Sequence, residues 1–318
     1  MPLAVSADSA KRALFERLID DAGLFPPAEL PMRFALRHHL RHRESAYAWV
    51  TGRFVVAASR IDEFIAARAT DPSPIELSVV LDAGALGAKG DTVRADLHRI
   101  ERAAESPGVS ITSLEARLPN VAFDGRAVER IVTDIAERYP SAPIAFWYES
   151  SYAGGWRTPP DEWLAIIAAA REAAPANVTL GAKVRCGGTA PGGTPSTDDL
   201  AAFVVAAHAR DVPWKASAGL HHPVRGMAYD NGVAQHGFLN LFLAGVALHA
   251  GAIEPARVAE LLADDDPRAF VVDPAHAAWR DVRVEAEAIA AARERCVAFG
   301  SCSFAEPVND LREMGILL

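Results

Sequence analysis

Short apolar runs alternate with longer amphipathic runs along most of the chain. The amphipathic runs have helical spacing and predict helices at Asp124–Tyr139, Pro160–Ala174, Asp198–Asp211 and Val282–Val297. The short runs are rich in β-branched and aromatic residues and predict eight strands. These strands are Arg53–Ala57, Glu76–Asp82, Val109–Arg117, Pro143–Glu149, Val178–Arg185, Val212–Gly219, Ala269–Asp273 and Phe299–Phe304.

Strands separated by helices are typical of the α/β class with a parallel sheet. Eight such strands predict a (β/α)₈ barrel of the TIM type, at a chain length that suits that fold. We therefore expect residues 1–50 to form a helical N-terminal extension and residues 51–318 to form a single barrel domain. An open, doubly wound sheet is the structural alternative, but no Gly-x-Gly-x-x-Gly motif follows the first predicted strand.

Alternation within the predicted strands places polar side chains on the barrel axis. Successive residues of a strand face opposite sides, and the outward side of a barrel packs on helices and should be apolar. By this rule the inward positions include Ser78, Asp82, Ser113, Glu115, Arg117, Glu149, Lys183, Arg185, Lys215, Ser217 and His221. Most of them lie at the carboxyl ends of their strands, where barrel active sites are found.

So many inward charges would be costly to bury without a purpose. A catalytic or binding site explains them, because clusters of perturbed charges in clefts are often functional. The alternative is a structural ion-pair network, for example Glu149 with Lys183 and Glu115 with Arg185.

Two lysines on neighbouring strands, Lys183 and Lys215, are the distinctive feature. A lysine beside another cation in a dry site has a lowered pKa and becomes a nucleophilic amine. Such an amine forms a Schiff base with a carbonyl substrate, and Glu149 or Asp82 could then carry protons. We expect a lyase or aldolase that needs no cofactor, in which Lys183, Lys215, Glu149 and His221 are catalytic.

Other polar residues are candidates for binding the substrate. Arg185 and Arg225 could hold a carboxylate or phosphate, while His236 could face the site from a helix start. A buried structural helix is an equal alternative for His236. The expected substrate-binding set is Glu115, Arg185, Ser217, Arg225 and His236.

The segments AKVRCGG, which contains Lys183, and WKASAGL, which contains Lys215, resemble the adjacent lysine strands of class I aldolases of the deoxyribose-phosphate type. The resemblance implies that Lys183 forms the Schiff base and Lys215 tunes it. The family's second lysine precedes a Gly-Gly pair, whereas Ser217-Ala218-Gly219 stands here. Other segments, among them AGLFPPAELPM, KASAGLHHPVR and HGFLNLF, resemble an uncharacterised bacterial protein family, which implies no activity.

Two other functions remain open from the sequence. A metal-assisted hydrolase or isomerase could use Glu149 and His221, although no His-x-His or His-Glu-x-x-His motif is present. A non-catalytic barrel could instead use the same charges to hold an anionic ligand. No metal is assigned in the lead interpretation.

Composition narrows the classes of partner that the protein is expected to bind. The net charge of -9 argues against nucleic acid, and no segment is long and apolar enough to suggest a membrane span. The three cysteines, Cys186, Cys296 and Cys302, lack zinc-site spacing and favour a reducing cytoplasm. The expected partner is a small carbonyl or anionic substrate, with homo-oligomerisation possible.

Overall fold

A computed structural model describes residues 9–69, 71–82, 90–117, 125–139, 143–150, 152–188, 192–227 and 234–317. Eight parallel strands form a closed barrel: β1 (Ile19–Asp21), β2 (Thr51–Ala57), β3 (Ile75–Val80), β4 (Val109–Arg117), β5 (Ile144–Glu149), β6 (Val178–Arg185), β7 (Trp214–Ser217) and β13 (Cys296–Ser301). Two small antiparallel sheets lie outside it: β8 (Gly226–Met227) with β9 (Ala234–Gln235), and β10 (Phe270–Val272) with β11 (His276–Trp279) and β12 (Val282–Glu285).

The helices connect the strands. They are α1 (Ala10–Phe15), α2 (Met32–Glu44), α3 (Ile61–Arg68), α4 (Gly90–Ala104), α5 (Gly125–Arg138), α6 (Pro160–Glu172), α7 (Thr197–Ala209), α8 (Phe238–His249), α9 (Val258–Ala263), α10 (Ala286–Arg293) and α11 (Ala305–Glu313). The α/β class and the TIM-type barrel are thereby confirmed.

The barrel closes between the first and last strands of the described chain. Around the circle the order is β1, β13, β7, β6, β5, β4, β3 and β2, and every neighbouring pair is parallel. Ile19 of β1 is level with Phe299 of β13, and Asp20 is level with Gly300. The first and last strands of the described chain therefore meet in the barrel wall.

One strand was predicted in the wrong sheet, and another strand was not predicted. The segment Ala269–Asp273, expected in the barrel, contributes β10 to the outer antiparallel sheet, where Phe270 is level with Trp279. Its place in the barrel is taken by β1, a three-residue strand within the predicted helical extension. The first fifty residues are thus not only helical, while the proposed boundary at residue 50 stays a prediction.

The apolar faces of strands and helices meet in one core between the barrel and its surrounding helices. From β6, Ala182 and Val184 point into this core, and Trp214 and Ala216 do so from β7. Helix α8 is buried along almost its whole length. Among the described residues, no helix is both long enough and apolar enough to cross a bilayer.

Helix α10 shows how a periodic sequence can mislead. The run Val282–Val297 was predicted as one helix, but its first four residues form β12, only Ala286–Arg293 is helical, and β13 begins at Cys296. Val282 and Val284 are buried while Arg283 and Glu285 are exposed, which is the alternation of a half-buried strand. The last barrel strand accordingly begins earlier than predicted.

Candidate active site at the mouth of the barrel

A cavity of about 410 Å³ opens at the carboxyl ends of the barrel strands. Its wall includes eight of the predicted inward residues: Glu115, Arg117, Glu149, Lys183, Arg185, Lys215, Ser217 and His221. The volume falls in the usual range for small-molecule sites. Strand alternation therefore does bring these side chains together in one pocket.

The backbone at the ends of β6 and β7 shapes one wall of this cavity. Ala218 and Gly219 both adopt positive φ angles, 58° and 69°, which ends β7 and turns the chain toward His221. Gly187 lies against this turn, and a Cβ atom there would stand 2.7 Å from the Cα of Gly219. A side chain at position 187 would push the two strand ends apart.

Lys183 lies in the middle of the charged cluster. Its Nζ donates to Oε2 of Glu115 at 2.7 Å and to Oε2 of Glu149 at 2.8 Å. The residue is only 8% exposed, yet it lines the cavity. A small molecule that entered the pocket would therefore meet a primary amine held between two carboxylates.

Lys215 is level with Lys183 on the neighbouring strand. The two lysines share one carboxylate partner and differ in the other. Its Nζ donates to Oδ2 of Asp20 at 2.7 Å and to Oε1 of Glu115 at 2.6 Å. Asp20 is fully buried and comes from β1. Glu115 thus bridges the two lysines, with one oxygen on each.

Glu115 is held by a network of hydroxyl groups as well as by the two lysines. Ser78 donates to Glu115 Oε1 at 2.7 Å, and its Oγ lies 2.8 Å from Oγ of Ser113. The indole Nε1 of Trp147 donates to Ser113 at 3.0 Å. Both oxygens of Glu115 are occupied, so this carboxylate is anchored and has little freedom to move.

Glu149 is less constrained. Its Oε2 receives Lys183 and, at 3.3 Å, the hydroxyl of Ser217. Among the described residues, its Oε1 has two guanidinium groups near it, Nη1 of Arg185 at 3.5 Å and Nε of Arg117 at 3.7 Å. These two separations are ion-pair distances rather than good hydrogen bonds. In the described part of the chain, Oε1 of Glu149 therefore has ion-pair partners but no close hydrogen-bond donor.

The carboxylates set the protonation of the site. Burial alone would lower the pKa of Lys183, but the charges of Glu115 and Glu149 outweigh it and hold that pKa above its ordinary value. Burial would conversely raise the pKa of both glutamates, and the lysines and arginines around them hold it below the usual range. The expected lowering of the Lys183 pKa by a neighbouring cation was therefore wrong, since carboxylates contact this amine.

The ion-pair alternative is right about one contact and wrong about the other. Glu149 does pair with Lys183, but Glu115 pairs with the two lysines and not with Arg185. The network is also continuous with the cavity, because both lysines line its wall. A purely structural network would have no need of this access.

His221 and His222 are both anchored to α11. Nδ1 of His221 lies 3.2 Å from Oε2 of Glu306, and Nδ1 of His222 lies 2.6 Å from Oδ2 of Asp310. The two carboxylates are one helical turn apart. Only His221 lines the cavity, so it is placed at the wall by Glu306 and does not contact Glu149 in the described structure.

Three predicted site residues lie elsewhere. The backbone N–H of Arg225 donates to Asn240, and the ring Nε2 of His236 lies 2.8 Å from the carbonyl oxygen of Pro195. Neither residue is part of the cavity wall. Asp82 accepts the backbone N–H of Ser59 at 2.5 Å and is exposed, so it is not placed to carry protons in the pocket.

Sequence reasoning missed Asp20 and the wall segment after it. Ala22, Phe25, Pro26 and Pro27 line the cavity, yet none of them was among the predicted site residues. Asp20 follows an isoleucine in a three-residue strand, too short to show alternation. The available signal was the pair of adjacent aspartates directly before an apolar wall segment.

Metal binding finds no donor set in the described ranges. These ranges contain no group of three or more His, Cys, Asp or Glu side chains arranged to hold a metal ion. Cys186 lies in the cavity wall, but burial raises the pKa of its thiol well above the ordinary value, so it is a poor nucleophile.

Comparisons with known proteins leave the site to be interpreted from its own chemistry. No protein-family model matches the sequence, and no curated protein matches it significantly.

Proposed function

We propose that the protein is a Schiff-base enzyme, a lyase of the aldolase kind, that acts on a small carbonyl compound through Lys183. The observation that carries the proposal is a cavity-facing primary amine, 8% exposed, between Glu115 and Glu149. The local resemblance of the two lysine strands to deoxyribose-phosphate-type aldolases supports the same residue.

The choice of residue type strengthens this proposal. The chain contains four lysines, at positions 11, 89, 183 and 215, against 28 arginines. Every other cation in the ion pairs of the described residues is an arginine or a histidine. An arginine pairs with carboxylates at least as well as a lysine does, but only a lysine supplies an amine that can attack a carbonyl.

The neighbours of Lys183 have distinct roles in the proposed reaction. Glu149, whose Oε2 contacts the Lys183 Nζ, accepts the Lys183 proton on that oxygen and so releases the amine lone pair. The lone pair attacks the carbonyl carbon, the C–O electrons move to oxygen, and one amine proton passes to that oxygen. Glu149 then returns its proton to the hydroxyl, and loss of water leaves an iminium. Glu115, held by Ser78 and both lysines, stays ionised and stabilises that cation.

Lys215 acts on Glu115 rather than on Lys183 directly. It keeps Glu115 anionic and oriented, while Asp20 neutralises Lys215 from behind. His221, held by Glu306 at the cavity wall, is placed to exchange a proton with the distal part of a substrate.

Borohydride trapping tests the proposal. Incubation with small carbonyl compounds and borohydride should add irreversible mass to the peptide that contains Lys183, because hydride reduces the iminium to a stable amine. Lys183→Met and Lys183→Arg should abolish this label, and the arginine variant retains the positive charge. Lys11→Arg serves as the matched control and should leave the label unchanged.

The outcome separates the functions that the sequence left open. A label on Lys183 supports the Schiff-base enzyme. Absence of the label across aldehydes, ketones and oxo acids, with a tightly bound stoichiometric metal in the purified protein, would favour the metal-assisted hydrolase or isomerase instead. Absence of both would favour a barrel that only binds anions.

A further inference from the structure

Two arginine side chains stand at the cavity wall with unused hydrogen-bond donors. Arg117 and Arg185 end strands β4 and β6 and flank Glu149, which ends β5 between them. Their side chains are 71% and 36% exposed, and among the described residues their only side-chain partner is Glu149 Oε1, at 3.7 and 3.5 Å. Two guanidinium groups thus lie at the cavity wall near the same oxygen of one carboxylate.

The charge of the pocket is opposite to that of the protein. Four cations (Arg117, Lys183, Arg185 and Lys215) and two carboxylates (Glu115 and Glu149) line the cavity, whereas the whole chain carries -9. Asp20 offsets one more cation through Lys215. One positive charge remains in excess when His221 is neutral, which matches a ligand with a single negative charge.

The positions of the amine and the guanidiniums restrict the ligand further. Lys183 contacts Oε2 of Glu149, while both arginines lie near Oε1 of the same group. Only the carboxylate of Glu149 thus lies between the Lys183 amine and the two guanidinium groups. A ligand that reaches both must carry its acid group very close to its carbonyl carbon.

We infer that the substrate is a 2-oxo acid, with Arg117 and Arg185 as the site that holds its carboxylate. This inference rests on the proposed function, because it assigns the carbonyl carbon of the oxo acid to Lys183. In a 2-oxo acid the carboxylate is bonded directly to the carbonyl carbon, and a guanidinium fork suits a carboxylate.

The same geometry couples binding to activation of the amine. A carboxylate on the arginine side lies closer to Glu149 than to Lys183, so it favours transfer of the Lys183 proton to Glu149. Glu149 then becomes neutral, and the two guanidiniums compensate the substrate's charge. The freed amine attacks the oxo carbon, and one amine proton passes to the new alkoxide. Glu149 returns its proton to the resulting hydroxyl, water leaves, and the iminium carries the positive charge beside Glu115. A neutral carbonyl compound lacks this effect and meets an ammonium group.

The test compares trapping by pyruvate, by neutral hydroxyacetone and by dihydroxyacetone phosphate, each with borohydride and peptide mapping of Lys183. Wild-type protein should be labelled by pyruvate about tenfold faster than by hydroxyacetone. The double variant Arg117→Gln/Arg185→Gln should lose about tenfold of the pyruvate rate, the size expected for lost charge-assisted hydrogen bonds. Its rate with hydroxyacetone, which has no carboxylate to bind, should not fall in the same way, so the preference for pyruvate should be lost.

Arg157→Gln is the matched control, since Arg157 is exposed after β5 and is not part of the cavity wall. It should label like the wild type with all three compounds. Equal labelling by pyruvate and hydroxyacetone, unchanged in the double variant, overturns the carboxylate site and leaves the Schiff-base function intact. Faster labelling by dihydroxyacetone phosphate overturns the 2-oxo acid in favour of a phosphate ester. No label from any compound overturns both proposals.

Discussion

The protein contains two very different sets of ion pairs. On the barrel axis, Lys183 and Lys215 share Glu115, and all three side chains are at least 90% buried. On the outside, Arg257 binds Asp281 through two parallel hydrogen bonds at 2.9 and 3.0 Å, and both partners are exposed. The outer pair has the better fork geometry, yet only the inner group has been removed from water.

The difference shows where charge is costly. An exposed ion pair loses little hydration free energy and gains little stability. Each buried ion loses several kcal/mol of hydration free energy, which the contacts with its partners must offset. The inner group is therefore stable only as a complete set. It is also the set that uses amines, which supports a chemical rather than a structural purpose for it.

Removal of the shared carboxylate should have the largest effect. Glu115→Ala leaves each buried lysine with one partner in place of two. We expect the free energy of unfolding to fall by about 4 kcal/mol, measured by urea denaturation. A loss below about 1 kcal/mol would show that water or rearrangement replaces the missing carboxylate, and would make the inner set resemble the outer one.

Removal of one amine should have the next largest effect. Lys215→Met leaves Asp20, which is fully buried, without a contacting ammonium group, and we expect a loss of about 3 kcal/mol. The double variant Lys215→Met/Asp20→Asn should be more stable than the sum of the single losses predicts, because it removes the stranded charge. Strict additivity in urea denaturation would contradict a direct coupling between these groups.

Asp21 provides an intermediate case, a buried carboxylate paired with histidines. Burial would raise its pKa, but contacts with His39 and His42 at 3.4 and 3.6 Å lower it from 3.8 to about 2. A lowered folded pKa stabilises the protein above the unfolded value, and this stability is lost as pH falls toward 2.

Asp21→Asn should therefore cost about 2 kcal/mol at neutral pH. The difference from wild type should shrink steadily between pH 4 and pH 2, as followed by urea denaturation at a series of pH values. A difference that stays constant over this range would assign the loss to packing and not to charge.

The outer pair should have the smallest effect. Arg257→Gln removes a bidentate contact with Asp281 and a contact with Glu260, but all three side chains are exposed. We expect the urea midpoint to remain unchanged within the error of the measurement, both at low salt and at high salt. A clear shift of the urea midpoint would mean that solvent exposure does not explain the different stabilities contributed by the buried and the exposed ion pairs.

Where the strands are long, strand alternation was sufficient to predict which charged residues face the barrel axis. β4 and β6 have nine and eight residues, and their period of two identifies Glu115, Lys183 and Arg185 as inward without reference to any partner. The same logic placed Glu149 and Lys215. The structural alternative paired Glu115 with an arginine, because alternation tells which side a residue faces but not which neighbour it touches.

The errors arose where the local pattern is short or shared by two structures. β1 has three residues and shows no period, so its strand and Asp20 were not recognised. The run at Phe270–Val272 has the composition of a strand in either a barrel or a hairpin sheet, and only its long-range partner, β11, decides between them. The direction of the Lys183 pKa likewise depended on Glu115 and Glu149, whose distances no sequence pattern contains.

The pairing of β1 with β13 also has a consequence for synthesis of the protein. Asp20 is made early and Ser301 late, yet the strands that carry them are hydrogen-bonded neighbours in the barrel wall. A chain still emerging from the ribosome can form β2 to β7, but the gap in its wall stays open until β13 has been translated. Lys215 then lies at the rim of that gap, beside the missing strand. The wall around the pocket is therefore closed only after β13 has been made.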